Sequence, residues 1–220
     1  MTQIRRRKSG SYAVGRARRE SILDIATAHF FQAGYHRTSM AQIAADVGLS
    51  EPGLLHHFPT KKHLLVAVAG RRFDITAAWA RELRESDDPL APLTLLVKIT
   101  ERFLTQPGMI ELFVLVSAEA ADPSSPAHDL YVEHYRSVVE SIAQGFEDAV
   151  ARGALRPGID YRAIAQETVA MTDGLQLQWV LFEGQFDLVG RLEDYVSQLS
   201  RTLLISHDCP DASDSGPAVN

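Results

Sequence analysis

Apolar residues recur at intervals of three and four over segment after segment of this chain, the period of amphipathic helices, and the pattern predicts an all-α fold. The first segment runs from about Ala17 to Ala33, with Ile22, Ile25, Ala26, His29 and Phe30 on its buried side and Gly34 ending it; His29 reads there as a satisfied core histidine. Two short segments follow, and then a long helix is expected from Thr60, a plausible N-cap, through Leu64, Leu65, Val68, Phe73 and Trp79 to about Glu85. Ser86-Asp87-Asp88-Pro89 breaks the pattern before a helix bearing Leu93, Leu96, Val97, Thr100 and Leu104, stopped by Gln106-Pro107-Gly108. From Ile110 to Val116 nearly every residue is apolar, so that segment is buried on all sides or lines a cavity. A loop over 122–126 leads to a helix carrying His128, Tyr131, Tyr135, Val138 and Ile142, which ends near Gly153. Asp160 opens a helix with Ile164, Thr168, Met171, Leu175, Trp179 and Phe182 on one side, and a last helix holds Leu188, Leu192, Tyr195, Val196, Leu199 and Leu203.

The two short segments carry the most specific signal. Ser39 can cap a helix while Gln42, three residues on, reaches back to the N–H of the cap, the reciprocal arrangement of a capping box. Met40, Ile43, Ala44 and Val47 form its apolar stripe, and Gly48 supplies a left-handed residue where it stops. Ser50 can cap a second helix, with Pro52 in its first turn and Leu54, Leu55 and Phe58 as anchors. The small Ala44 lets the second helix lie steeply across the first. Glu51, Pro52, Gly53 and His56 are left outward as a short, slim face that a major groove about 12 Å wide can admit. Taken alone, such a pair is also compatible with an ordinary helical hairpin.

Charge changes that balance. Residues 1–72 hold 12 lysines and arginines against 4 acidic residues, a net of +8; the remainder holds 10 against 24, a net of −14, within an overall charge of −6. A basic front attracts phosphates and releases their counterions, and an acidic body orients the approach to DNA. Within the polar stretch 1–15, read as a flexible arm, Arg5, Arg6, Arg7 and Lys8 could reach an adjacent minor groove. Lys61, in the first turn of the long helix, suggests a phosphate contact. No run of about 18 apolar residues exists to span a bilayer, and Arg5-Arg6-Arg7-Lys8 leads into Ser and Gly instead of an apolar signal core, so a cytoplasmic protein is expected.

Gly34-Tyr35, Thr38-Ser39-Met40, Ile43-Ala44, Val47-Gly48-Leu49-Ser50, and then His57-Phe58-Pro59 with Lys61 and Leu64, follow one another in a register that resembles the TetR/AcrR family of bacterial transcriptional regulators. The resemblance is dense from about Arg16 to Leu64 and thinner beyond, in Met171–Trp179 and at Pro126. One departure stands at Leu55, where the family often carries a tyrosine that touches a phosphate; His56 or His57 would have to replace that donor. The resemblance implies a helix-turn-helix DNA-binding domain (16–64, motif about 39–58) and a ligand-binding and dimerisation domain (65–205), between the basic arm (1–15) and a tail (206–220) whose polar composition predicts disorder. It assigns Thr38, Ser39, Ser50, Glu51, Pro52, Gly53, His56, His57 and Lys61 to a double-stranded DNA operator. It also implies a ligand-responsive repressor with a small-molecule effector pocket, for which Trp79, Phe103, Met109, Phe113, Tyr131, Tyr135, Met171, Asp173 and Gln176 are bulky or polar candidates. Asp173 and Gln176 are the more telling, since a carboxylate and an amide in an apolar helix need partners.

The last two helices are too apolar to leave in water and predict a homodimer joined through Leu175, Trp179, Leu192, Val196 and Leu199, whose two-fold axis would set two recognition helices on two half-sites. No phosphate loop, H-E-x-x-H pair or G-x-S-x-G elbow is present, Cys209 is the single cysteine, and of His56, His57 and His63 the last falls on a different helix with no Asp or Glu close in sequence to complete a metal site. No catalytic residue, metal or cofactor is expected. The alternative from another class is an α-helical small-molecule-binding protein or enzyme without sequence-specific DNA binding, its basic front serving only solubility.

Overall fold

The computed structural model describes residues 8–82, 88–106 and 108–205. Arg5, Arg6 and Arg7 of the expected arm, and the tail 206–220, lie outside the described residues. Nine helices follow in order among the described residues: α1 (Lys8–Ala33), α2 (Met40–Val47), α3 (Glu51–His57), α4 (Lys61–Glu82), α5 (Ala91–Leu104), α6 (Met109–Ala120), α7 (His128–Ala151), α8 (Tyr161–Leu181) and α9 (Leu188–Leu203). The fold is all-α, with only an isolated antiparallel bridge between Leu155 and Leu204. The first helix starts at Lys8, about nine residues before its expected start, so residues 8–15 of the expected flexible arm are helical.

Local chemistry accounts for the punctuation. Thr60 heads α4: its hydroxyl accepts from the His63 N–H at 3.3 Å and meets His63 Nδ1 at 2.8 Å. Asp160 and Asp187 cap α8 and α9 through the N–H groups of Ala163 and Gly190, both at 3.0 Å. Each cap satisfies a donor that the helix leaves without a partner.

Packing ties the front to the body. Ile22 and Ala26 of α1, Ile43 of α2, Leu54 of α3 and Leu64 and Val68 of α4 share one apolar cluster with Leu112, Phe113 and Val116 of α6 and Tyr131 of α7. Lys62 adds an ion pair to Glu119 of α6 at 2.6 Å, and Arg71 pairs with Asp24 of α1 at 2.5 Å. A second cluster joins α5, α7, α8 and α9, and a third holds Trp79, Phe103, Met109, Ile110, Leu188 and Leu192. The short front helices thus rest on a layer continuous with the body, so a shift in α4 or α6 is felt at α3.

Candidate functional site

The α2–α3 pair is built as its sequence dictates. Ser39 Oγ accepts from the Gln42 N–H at 3.2 Å and Gln42 Oε1 accepts from the Ser39 N–H at 2.8 Å, closing the capping box. Gly48 is left-handed at φ 73, and its N–H and that of Leu49 return to the last carbonyls of α2. Ser50 Oγ then accepts from the Gly53 N–H at 3.2 Å to start α3 with Pro52 in its first turn. Ala44 is buried at the crossing, and Leu54 and Phe58 anchor α3. Glu51, Pro52, Leu55 and His56 face outward, with Gly53 half-covered. Leu55, expected as an anchor, is 38% exposed, because the step of about 100° from one helical residue to the next turns it away from the buried Leu54 side.

Several of the residues assigned to DNA have internal duties. Thr38 is 3% exposed, and its hydroxyl donates to the carbonyls of His29 and Gly34 at 3.2 and 3.0 Å. It latches the end of α1 to the start of α2, and its side chain is not free for a phosphate. Lys61 Nζ lies 4.3 Å over the Tyr35 ring and donates to the His36 carbonyl at 3.4 Å, which fixes its ammonium beside the α1–α2 turn; desolvation lowers its pKa. His57 is half-buried, edge-on to exposed His56 with ring centroids 5.8 Å apart. His29 is not a core histidine: its Nε2 meets Asp46 Oδ2 at 2.7 Å and clasps α1 to α2. No group of three or more metal-ligating side chains occurs among the described residues.

The body contains a cavity of about 920 Å³, partly open to solvent and walled by α4, α5, α6, α7 and α8. Of the nine expected wall residues, Phe103, Phe113, Tyr135, Asp173 and Gln176 line it. Trp79, Met109 and Tyr131 are instead buried in apolar clusters, and Met171 is exposed on the far side of α8. The wall also includes Phe73, one of the apolar positions expected on α4, and two residues that periodicity did not single out, Arg72 and His134. Phe73 and His134 stack with centroids 3.6 Å apart and planes 3° from parallel, and burial pushes the His134 pKa down to about 4, so its ring is neutral near pH 7. Tyr135 donates to Asp173 Oδ2 at 2.6 Å; burial nonetheless raises the Asp173 pKa to about 6, with that bond and the Arg72 charge opposing it. Arg72 was legible as the residue continuing the buried side of α4, four after Val68 and three after Ala69.

The apolar surface of α8 differs from the expected dimer face. Leu192 is 2% exposed, packed inside its own chain, and Leu175, Trp179, Val196 and Leu199 are half-buried against the clusters beneath them. The outward apolar row is Met171, Leu177, Leu181 and Phe182, with Leu181 68% exposed. A Cβ at Gly174, on the same side, would meet no atom within 4 Å. The outward residues of α9 are Arg191, Glu193, Asp194, Ser197, Gln198, Arg201 and Thr202, which are polar.

The description "bacterial regulatory proteins, tetR family" matches residues 22–68, and "BetI-type transcriptional repressor, C-terminal" matches residues 104–203. The HTH-type transcriptional regulator RutR of Escherichia coli K12 is 39% identical over 77 residues, spanning 35% of this chain and 36% of RutR. The chain thus matches about a third of the length of that relative. The HTH-type transcriptional regulator TtgR of Pseudomonas putida is 25% identical over 184 residues, covering 81% of this chain and 87% of TtgR. A transcriptional regulator from Saccharomonospora viridis, crystallised with choline, shares the fold with a TM-score of 0.69 at 24% identity, over 86% of this chain and 98% of that one. Among the described residues no helix is long and apolar enough to cross a membrane. With the capped helix pair in the first matched region and the walled cavity in the second, this chain belongs to the TetR family of bacterial regulatory proteins.

Proposed function

We propose that the protein is a homodimeric, ligand-responsive repressor that reads a palindromic operator with two copies of α3. The observation that carries this reading is the outward face of α3. Ser50, Glu51, Pro52, Gly53, Leu55 and His56 form a slim edge held on a rigid pair and backed by the basic first third of the chain. Leu55 has no polar atom for a phosphate, so neighbouring His56, with the N–H groups at the start of α2, supplies the contacts that orient α3. The dimer forms through Met171, Leu177 and Leu181 of α8 and Phe182 just beyond its end, an apolar row that two-fold pairing would cover. The effector occupies the cavity whose wall includes α4, so filling it biases the position of the helix that carries α3. Names among the relatives agree with repression, since the matched C-terminal description is that of a transcriptional repressor.

Footprinting on the DNA upstream of the chain's own coding sequence tests the reading. Two protected half-sites one helical turn apart, about 34–36 Å, are expected from a dimer. A single unpaired footprint would remove the dimeric arrangement, and no protection at concentrations that saturate random duplex would remove the operator.

A further inference from the structure

The cavity holds a charge that no described residue pairs. Arg72 is 5% exposed on the inner side of α4, with its guanidinium carbon 4.0 Å from the Phe103 ring centroid and 4.5 Å from that of Phe113. Two aromatic faces hold the plane of the guanidinium but satisfy none of its N–H donors. Its Nε has no hydrogen-bond partner, and among the described residues no carboxylate lies within ion-pair distance of it. Asp173, whose charge it feels, is engaged by the Tyr135 hydroxyl instead. On the same wall Gln176, 4% exposed, has an Oε1 with no partner. Burying an unpaired guanidinium is costly, and such groups are held where something else completes them.

We propose that the effector is an amphipathic carboxylate, its anionic head closed on Arg72 and its apolar body lying along Phe73, Phe103 and Phe113. This inference rests on the reading of the cavity as the effector site. The geometry selects the charge: a guanidinium offers a planar fork of donors that a carboxylate fills with two parallel bonds. A quaternary ammonium would face the same cation without any donor-to-acceptor match, and an alcohol would leave most of the fork empty. Gln176 Oε1 can accept from a hydroxyl or amide N–H on the ligand, so a carboxylate that also carries such a donor fits the wall best.

The test uses the full chain without DNA, so a failure to bind an operator and a failure of this proposal are read separately. Calorimetry compares three probes of equal length and different head: octanoate, octanol and octyltrimethylammonium. Octanoate should bind at least about tenfold more tightly than either of the others, the range expected for a charged hydrogen-bonded pair in a buried site. In Arg72→Met that preference should vanish while the melting temperature without ligand stays equal or rises, because the substitution removes a buried charge lacking a partner. Asp173→Asn should tighten octanoate, since it removes a negative charge beside the site. Gln176→Glu gives a second, smaller change to the cavity and should weaken octanoate more than octanol. Equal binding of octanoate and octanol, preference for the ammonium, a preference that survives Arg72→Met, or no octanoate binding at millimolar concentration would each overturn the proposal. A drop in melting temperature for Arg72→Met would do so too, by giving the arginine a structural role.

Discussion

Replacing Gly108 by alanine should uncouple the front of the molecule from the body. Gly108 caps α6 at φ 79, and a Cβ built on it would lie 2.5 Å from Cδ1 and 3.0 Å from Cβ of Phe31, in the last turn of α1. Two costs add. A non-glycine residue in the left-handed region loses about 1–2 kcal/mol, and overpacking against a side chain that is held near its root costs about 1–3 kcal/mol more. The sum of roughly 2–5 kcal/mol is a large share of the roughly 5–15 kcal/mol by which domains of this kind are stable. Gly153→Ala is the matched control, because Gly153 is also left-handed, at φ 72, yet its Cβ would meet nothing within 4 Å. Urea unfolding of both variants, followed by circular dichroism, should put the midpoint of Gly108→Ala well below that of Gly153→Ala. Because Phe31 must move or α1 must retreat, Gly108→Ala should also change affinity for the preferred DNA site, while Gly153→Ala should not. Equal midpoints for the two variants would refute the contact as the source of the effect.

Three further outcomes follow from particular side chains. His56→Ala, on the outward face of α3, should weaken binding to the preferred duplex more than to random duplex in an anisotropy titration; a uniform loss would assign His56 to the phosphates. Leu177→Asp combined with Leu181→Asp should give folded monomers on a sizing column, whereas Leu192→Asp should lose helical signal instead, because Leu192 is interior to its own chain. Dimers surviving the double substitution would place the interface off α8. Asp173 has a folded pKa of about 6, above its ordinary 3.8, so the folded state holds this proton to higher pH and loses stability as pH rises through that window, by at most about 3 kcal/mol. Asp173→Asn, beside Arg72 and Tyr135, should flatten the unfolding free energy between pH 4 and 6 relative to the parent; matching slopes would refute the buried carboxyl.

Nearly all of the helix-turn-helix was readable because its determinants are local. Ser39, Gln42, Gly48, Ser50 and Pro52 act on backbone groups within four residues, so their spacing states their geometry. Helical periodicity likewise gave the order of the body helices. It could not say which apolar row of α8 stays outside, since Leu175 and Leu177 are equally apolar and only the position of α9 and α6 decides between them. Thr38 and His29 were misread for the same reason: their partners, the carbonyls of His29 and Gly34 and the Asp46 carboxylate, arrive by tertiary folding. Spacing alone puts Arg72 on the buried side of α4, but what it meets there, the aromatic rings of α5 and α6, is set by tertiary folding.

The central claim is that a rigidly capped helix pair, set in the basic first third of the chain, reads DNA by sequence while the acidic body governs it. The most direct measurement is an anisotropy titration against the upstream duplex and a scrambled duplex of equal length over a range of salt. The account predicts that affinity for both falls steeply as salt rises, with the upstream duplex holding an advantage of at least about a thousandfold at physiological salt. Equal affinity for the two duplexes at every salt concentration would contradict it.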